Sequence, residues 1–196
     1  MRRSIIAMLG LVAAAALAAN PAYACKGKKE IFKADMDDMP FGDLEFLTYD
    51  SDSVTVKPPK GKVVWPAVML DDDVSGNIDL CITVKLMKAA SQGGLSFWGM
   101  SGEKWIAVFD RDGNTIVGAS ANGKWTNQPS KKGEMKKNAE NVIRLTLKGK
   151  EGTLYLNDTK LQTFRRKMEP DDTYEIGIAA QNGDVQFSEF RGTSVD

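Results

Sequence analysis

The chain has 196 residues, with 26 basic and 26 acidic side chains, a formal charge of zero and no histidine. A balanced charge argues against nucleic acid or an anionic membrane surface as a partner, because both select a basic excess. The missing histidine closes Ser-His-Asp and Cys-His catalysis and removes the commonest metal ligand; no catalytic, cofactor or metal residue is assigned.

Met1-Arg2-Arg3 is a short basic start, and an alanine-rich apolar run from Ile5 to Ala19 follows. Ala22-Tyr23-Ala24 then supplies an Ala-x-Ala site, so residues 1–24 read as a secretory signal peptide cut after Ala24. The apolar run falls short of the roughly 20 residues a membrane span needs, so no membrane insertion is expected. Residues 25–196 are expected to form a single domain, periplasmic or secreted. A cysteine at position 25 raises a lipoprotein alternative, but the places three and two before it hold Ala22 and Tyr23 rather than leucine and a small residue. The chain has two cysteines. In an exported protein Cys25 and Cys81 are expected to form one disulfide that ties down the N-terminal segment; the alternative is that Cys81 is a half-buried free thiol in a strand.

Along the rest of the chain the periodicity predicts strands over 44–49, 53–56, 62–67, 78–88, 95–99, 104–110 and 114–120. Four more follow at 142–148, 152–158, 174–180 and 184–190, with another over 161–165. Ser91-Gln92-Gly93-Gly94 reads as a loop. The turns are marked by Asp112-Gly113, Asn122-Gly123 and Asn182-Gly183, pairs whose backbones accept positive φ. About a dozen short alternating strands with such turns predict an all-β antiparallel sandwich with little helix.

Alternation also assigns faces. Ile78, Leu80, Ile82, Val84 and Leu86 share one face, and Asp79, Cys81, Thr83 and Lys85 the other. Ile143, Leu145, Leu147, Leu154, Leu156, Ile176, Ile178, Val185 and Phe187 point inward, whereas Arg144, Thr146, Tyr155, Glu175 and Gln186 point to water or to a concave surface.

The segments Trp105–Asn114, Gly123–Thr126, Asn141–Leu145, Leu154–Asp158, Ile176–Ala180 and Val185–Phe190, in that order and spacing, resemble the concanavalin A-like lectin/glucanase superfamily, and within it the bacterial exported "3-keto-disaccharide hydrolase" type of domain. The resemblance covers about residues 78–191. It implies a jelly-roll sandwich of two curved sheets whose members bind glycans on the concave face or at the loops. Catalytic glucanase relatives carry a Glu-x-Asp-x-x-Glu strand, which sets nucleophile and acid carboxylates about 5 Å apart. No such run occurs here.

The expected function is therefore non-catalytic binding of carbohydrate or another envelope ligand. The alternatives are a periplasmic glycoside hydrolase or lyase acting on a disaccharide, and a structural protein-interaction module. Sugar sites use flat aromatic faces with polar neighbours. Trp98 and Trp125 are the expected aromatic residues, with Asn122, Arg144 and Gln181 as hydroxyl partners. Trp65 and Trp105, flanked by apolar residues, read as core. The acidic run 71–79 reads as a solvated turn rather than a calcium loop, because its spacing does not match an EF-hand.

Overall fold

The computed structural model describes residues 25–70, 74–99, 102–167 and 173–196. The proposed signal peptide and Asp71-Asp72-Asp73 lie outside the described residues.

Among the described residues fourteen strands form two antiparallel sheets. In chain order they are β1 (Glu30–Lys33), β2 (Leu47–Asp50), β3 (Ser53–Val56), β4 (Val63–Val64), β5 (Ile78–Leu86), β6 (Gln92–Gly99), β7 (Lys104–Asp110), β8 (Thr115–Ala121), β9 (Lys124–Asn127), β10 (Asn141–Lys148), β11 (Glu151–Leu156), β12 (Thr159–Arg165), β13 (Tyr174–Gln181) and β14 (Val185–Ser194). The eight-stranded sheet runs β12-β11-β10-β5-β14-β3-β2, with β1 beside β14; the six-stranded sheet runs β4-β13-β6-β7-β8-β9. The only helix among the described residues is a 3-10 turn, Met36–Asp38, capped by the Asp35 carboxylate. The expected all-β jelly-roll sandwich is the observed one.

Alternation builds the core. The face of β5 carrying Ile78, Leu80, Ile82 and Val84 is fully buried against Leu95, Phe97, Ile176 and Ile178 of the other sheet. Trp105 lies in this core, stacked on Phe164 with ring centroids 4.6 Å apart. Each large apolar side chain removed from water stabilises the fold by about 1.5–3 kcal/mol.

Several boundaries differ from the sequence reading, each for a local reason. Gln92, Gly93 and Gly94 are strand and not loop, because paired neighbours on both sides hold them in the sheet. The strand expected over 62–67 shortens to Val63–Val64, since Pro66 has no N–H to continue the ladder; beyond it Ala67 makes an isolated bridge to Gly177. The edge strands β1 and β9 are too short and polar for alternation to reveal. β14 runs past 190 to Ser194: a bulge between Ser188 and Arg191, with Glu189 at φ 51°, moves its outer partner from β3 to β1. Asn122 and Gly123 have φ of 52° and 75°, as the β8–β9 hairpin turn requires.

Candidate functional site

The outward residues of the six-stranded sheet fall into rows across it. The first runs Glu175–Trp98–Lys104–Ser120–Trp125, and the second Gly177–Ser96–Ile106–Gly118–Asn127. The third is Ala179–Gly94–Val108–Ile116, and the fourth Gln181–Gln92–Asp110.

This face is concave. Trp65 follows β4 at one edge, where the Pro66 carbonyl accepts a hydrogen bond from the Ile178 N–H at 3.1 Å. Trp125 belongs to β9 at the other edge. Five strand spacings separate the edges, roughly 24 Å on a flat sheet, yet the two indole rings stack with centroids 5.6 Å apart and planes 25° apart. Only a sheet curled toward this face brings them together. Small residues at Gly94, Ser96, Gly118 and Gly177 make room for the curl. A Cβ on Gly177 would lie 2.2 Å from the Pro66 carbonyl oxygen, and one on Gly118 2.6 Å from Asn127 Oδ1.

Trp65 packs on Ile106, Val108 and Ala179, a small apolar cluster separate from the main core. Its sequence neighbourhood suggested core, and the structure corrects this: Trp65 lies on the outer, concave face. Lys104 Nζ stands 5.8 Å from the Trp65 ring centroid, within cation–π range. Among the described residues Lys104 has no carboxylate within ion-pair distance. Trp125 is 42% exposed and Trp98 is half-buried.

The expected site residues are thus partly brought together. Trp98 and Trp125 share a face and a row, and Asn122 sits exposed in the turn beside Trp125. Gln181 lies on the same face three rows away, where its side-chain amide donates to Gln92 Oε1. Beside that end opens a polar cleft of about 590 Å³, lined by Lys60, Lys88, Gln92, Asp110, Arg111 and Asn182 among others. Asp110 is committed to its own turn: Oδ1 accepts from the Asp112 and Asn114 N–H groups at 2.9 Å, and Oδ2 from the Asn114 side-chain amide at 2.8 Å.

Arg144 is elsewhere. It faces outward, as alternation required, but from the eight-stranded sheet, and it is 9% exposed rather than open to a ligand. Its guanidinium stacks 3.7 Å from the Tyr155 ring centroid and reaches Asp79 Oδ2 at 3.5 Å. Asp79, 1% exposed, also accepts from Thr146 Oγ1 and from the Lys26 N–H, both at 2.7 Å. The Cys25–Cys81 disulfide holds the Lys26 backbone over this carboxylate. Asp79 is therefore a structural anchor and not part of a solvated turn.

The sequence reading missed Trp65 and Lys104. A signal for Trp65 was Pro66, which marks an edge strand. Lys104 pairs with Trp98 only once the register is known.

No protein-family model and no curated protein sequence matches the chain. Among solved structures, a protein of unknown function with a galectin-like fold from Bacillus subtilis aligns with a TM-score of 0.64 at 8% identity, over 86% of this chain and 97% of that one. The Bacillus licheniformis β-glucanase aligns with a TM-score of 0.57 at 7% identity, over 76% and 83%. The carbohydrate-binding module CBM66 from Bacillus subtilis aligns with a TM-score of 0.53 at 12% identity, over 74% and 85%. At these identities the likeness is one of fold: the concanavalin A-like and galectin-like jelly-roll sandwich.

Proposed function

We propose that this protein binds carbohydrate, without turning it over, on the concave face of its six-stranded sheet. The observation that carries this reading is the Trp65–Trp125 stack on that face, outside the main core, with Lys104 beside Trp65 and Trp98 in the same row as Trp125. Indole faces pack on the C–H surfaces of a sugar ring, and flanking polar groups meet its hydroxyls. The solved structures of similar fold, a carbohydrate-binding module among them, support the same reading.

Across the strand rows carboxylate spacing favours binding over hydrolysis; in the far cleft Asp110 is held by its own turn, Asp112 pairs with Lys137 and Asp184 with Lys88. On this face Glu175 and Asp110 stand in the first and last rows, six residues apart along the strands, or roughly 20 Å. Glycosidase pairs stand about 5–9.5 Å apart. Within the superfamily we place the chain beside the exported 3-keto-disaccharide hydrolase type, as a binding relative. We further propose an exported protein, cut after Ala24; the disulfide between Cys25 and Cys81 supports an oxidising compartment, and no helix among the described residues is long and apolar enough to cross a membrane.

A glycan array probed with residues 25–196, followed by tryptophan-fluorescence titration of the hits, tests the reading. One stacked ring contributes about 0.5–1.5 kcal/mol beyond area burial, so Trp98→Ala and Trp125→Ala should each weaken binding severalfold. Hits indifferent to both substitutions would place the site elsewhere.

A further inference from the structure

The stacked tryptophans do more than line the concave face; they cross it. A sheet curled about its strand direction makes a groove that runs along the strands. The Trp65–Trp125 pair spans that groove from the β4 edge to the β9 edge. It leaves no passage beneath, because Trp65 rests directly on Ile106 and Val108, which are 7% and 1% exposed, and on fully buried Ala179. The groove is therefore divided. Trp98, Lys104 and Glu175 stand level with Trp125 in the first row, at one end of the groove, and Gln92, Gln181 and the polar cleft lie at the other end, beyond Trp65.

We infer that the protein takes the end of a glycan chain, a terminal mono- or disaccharide, and not an interior stretch of polysaccharide. This rests on the carbohydrate reading above and specifies its ligand. A linear chain lying along the strands meets the indole pair after its first units. Its terminal sugar then sits between Trp98 and the dam, over Lys104 and Ser120, with the exposed face of Trp125 as end wall. Further units project into solvent and add no contact. A chain threading the groove would need the space that Trp65 fills.

The test is a tryptophan-fluorescence titration with linear glucan, galactan, mannan and fructan oligosaccharides, from disaccharides to long chains. Cyclic glucans and cyclic fructans serve as probes without ends. In the unsubstituted protein the affinity for a binding series should level off at the di- or trisaccharide, and the matching cyclic probe should bind at least tenfold more weakly. In Trp65→Ala, whose indole lies outside the main core, affinity should instead climb with chain length. If that variant does not fold, Trp125→Ala on the exposed edge strand opens the same dam, and its length dependence, not its absolute affinity, is the readout. Affinity that climbs with length in the unsubstituted protein, or cyclic probes that bind as well as linear ones, overturns terminal recognition while leaving carbohydrate binding intact. Failure of every series to bind removes both readings together.

Discussion

The two outer faces of the sandwich carry similar chemistry to opposite ends. On the eight-stranded sheet, Asp79, Arg144, Thr146 and Tyr155 look like a ligand site by residue type. Asp79 is taken up by Arg144, Thr146 and the Lys26 N–H, the guanidinium lies against Tyr155 with its Nε buried and, among the described residues, unpaired, and the segment at Cys25 and Lys26 covers them. On the six-stranded sheet, Trp98, Trp125, Lys104 and Glu175 are open or half-open, and Lys104 and Glu175 face no opposite charge within ion-pair distance among the described residues. The two faces differ less in which functional groups they hold than in how far those groups are buried.

Removing an acid from each face would break this comparison most sharply. Asp79→Ala strands the buried guanidinium of Arg144 and leaves the Thr146 hydroxyl without its acceptor, so it should cost about 3–5 kcal/mol. Glu175→Ala, on the exposed side, should stay within about 0.5 kcal/mol. Urea unfolding of both variants is the measurement, and equal losses would erase the distinction between the faces. Next comes the seal itself. Cys25 and Cys81 stand 56 residues apart, and opening a loop of that size by Cys25→Ala with Cys81→Ala should cost about 2–4 kcal/mol. Denaturant midpoints with and without reductant should show the shift in the unsubstituted protein and none in the double variant.

A smaller effect belongs to the open face. Trp125→Ala should leave stability within about 0.5 kcal/mol while reducing glycan affinity by about 0.5–1.5 kcal/mol, as paired thermal melts and titrations will show. The same substitution unfolding the protein would assign the ring to structure. An effect of similar size tests the edge of the eight-stranded sheet, where Tyr49 packs against the core. On β2 at its edge, the Tyr49 hydroxyl donates to the Gly42 carbonyl at 3.0 Å and accepts from the Phe41 N–H at 3.1 Å. Burial pushes its pKa above the ordinary 10.0; the Phe41 hydrogen bond opposes this and the nearby Asp43 charge adds to it. The folded state thus holds this proton more tightly than the unfolded chain. The contribution is complete below pH 10 and is lost as pH rises through the raised folded value. Tyr49→Phe should cost about 0.5–1.5 kcal/mol and remove that part of the alkaline destabilisation, measured by unfolding across the alkaline range.

Much of the architecture was legible from alternation alone. The period-two runs at 78–86 and 142–148 grouped their core-facing residues correctly, because both strands sit mid-sheet between paired neighbours, but the opposite face of β5 (Asp79, Cys81, Thr83) is buried as well. Edge elements are read less well: alternation misses β1 and β9 and draws β4 too long, because in such short strands pairing rather than patterning sets the bounds. At the site, parity placed Arg144 on an outer face but could not say which sheet curls or which outer face is covered. Those facts depend on contacts between residues far apart in the chain, such as Trp65 with Trp125 and Cys25 with Cys81.

That second pairing has a consequence for the chemistry left open to Cys25. A thioether to diacylglycerol and a bond to another sulfur draw on the same valence of Cys25, so a molecule with one cannot have the other. In the folded protein that valence is taken by Cys81 in the middle of β5. The Cys25 end of the described segment is thus moored to β5 through that atom, and the disulfide would have to be reduced before the same sulfur could form a thioether.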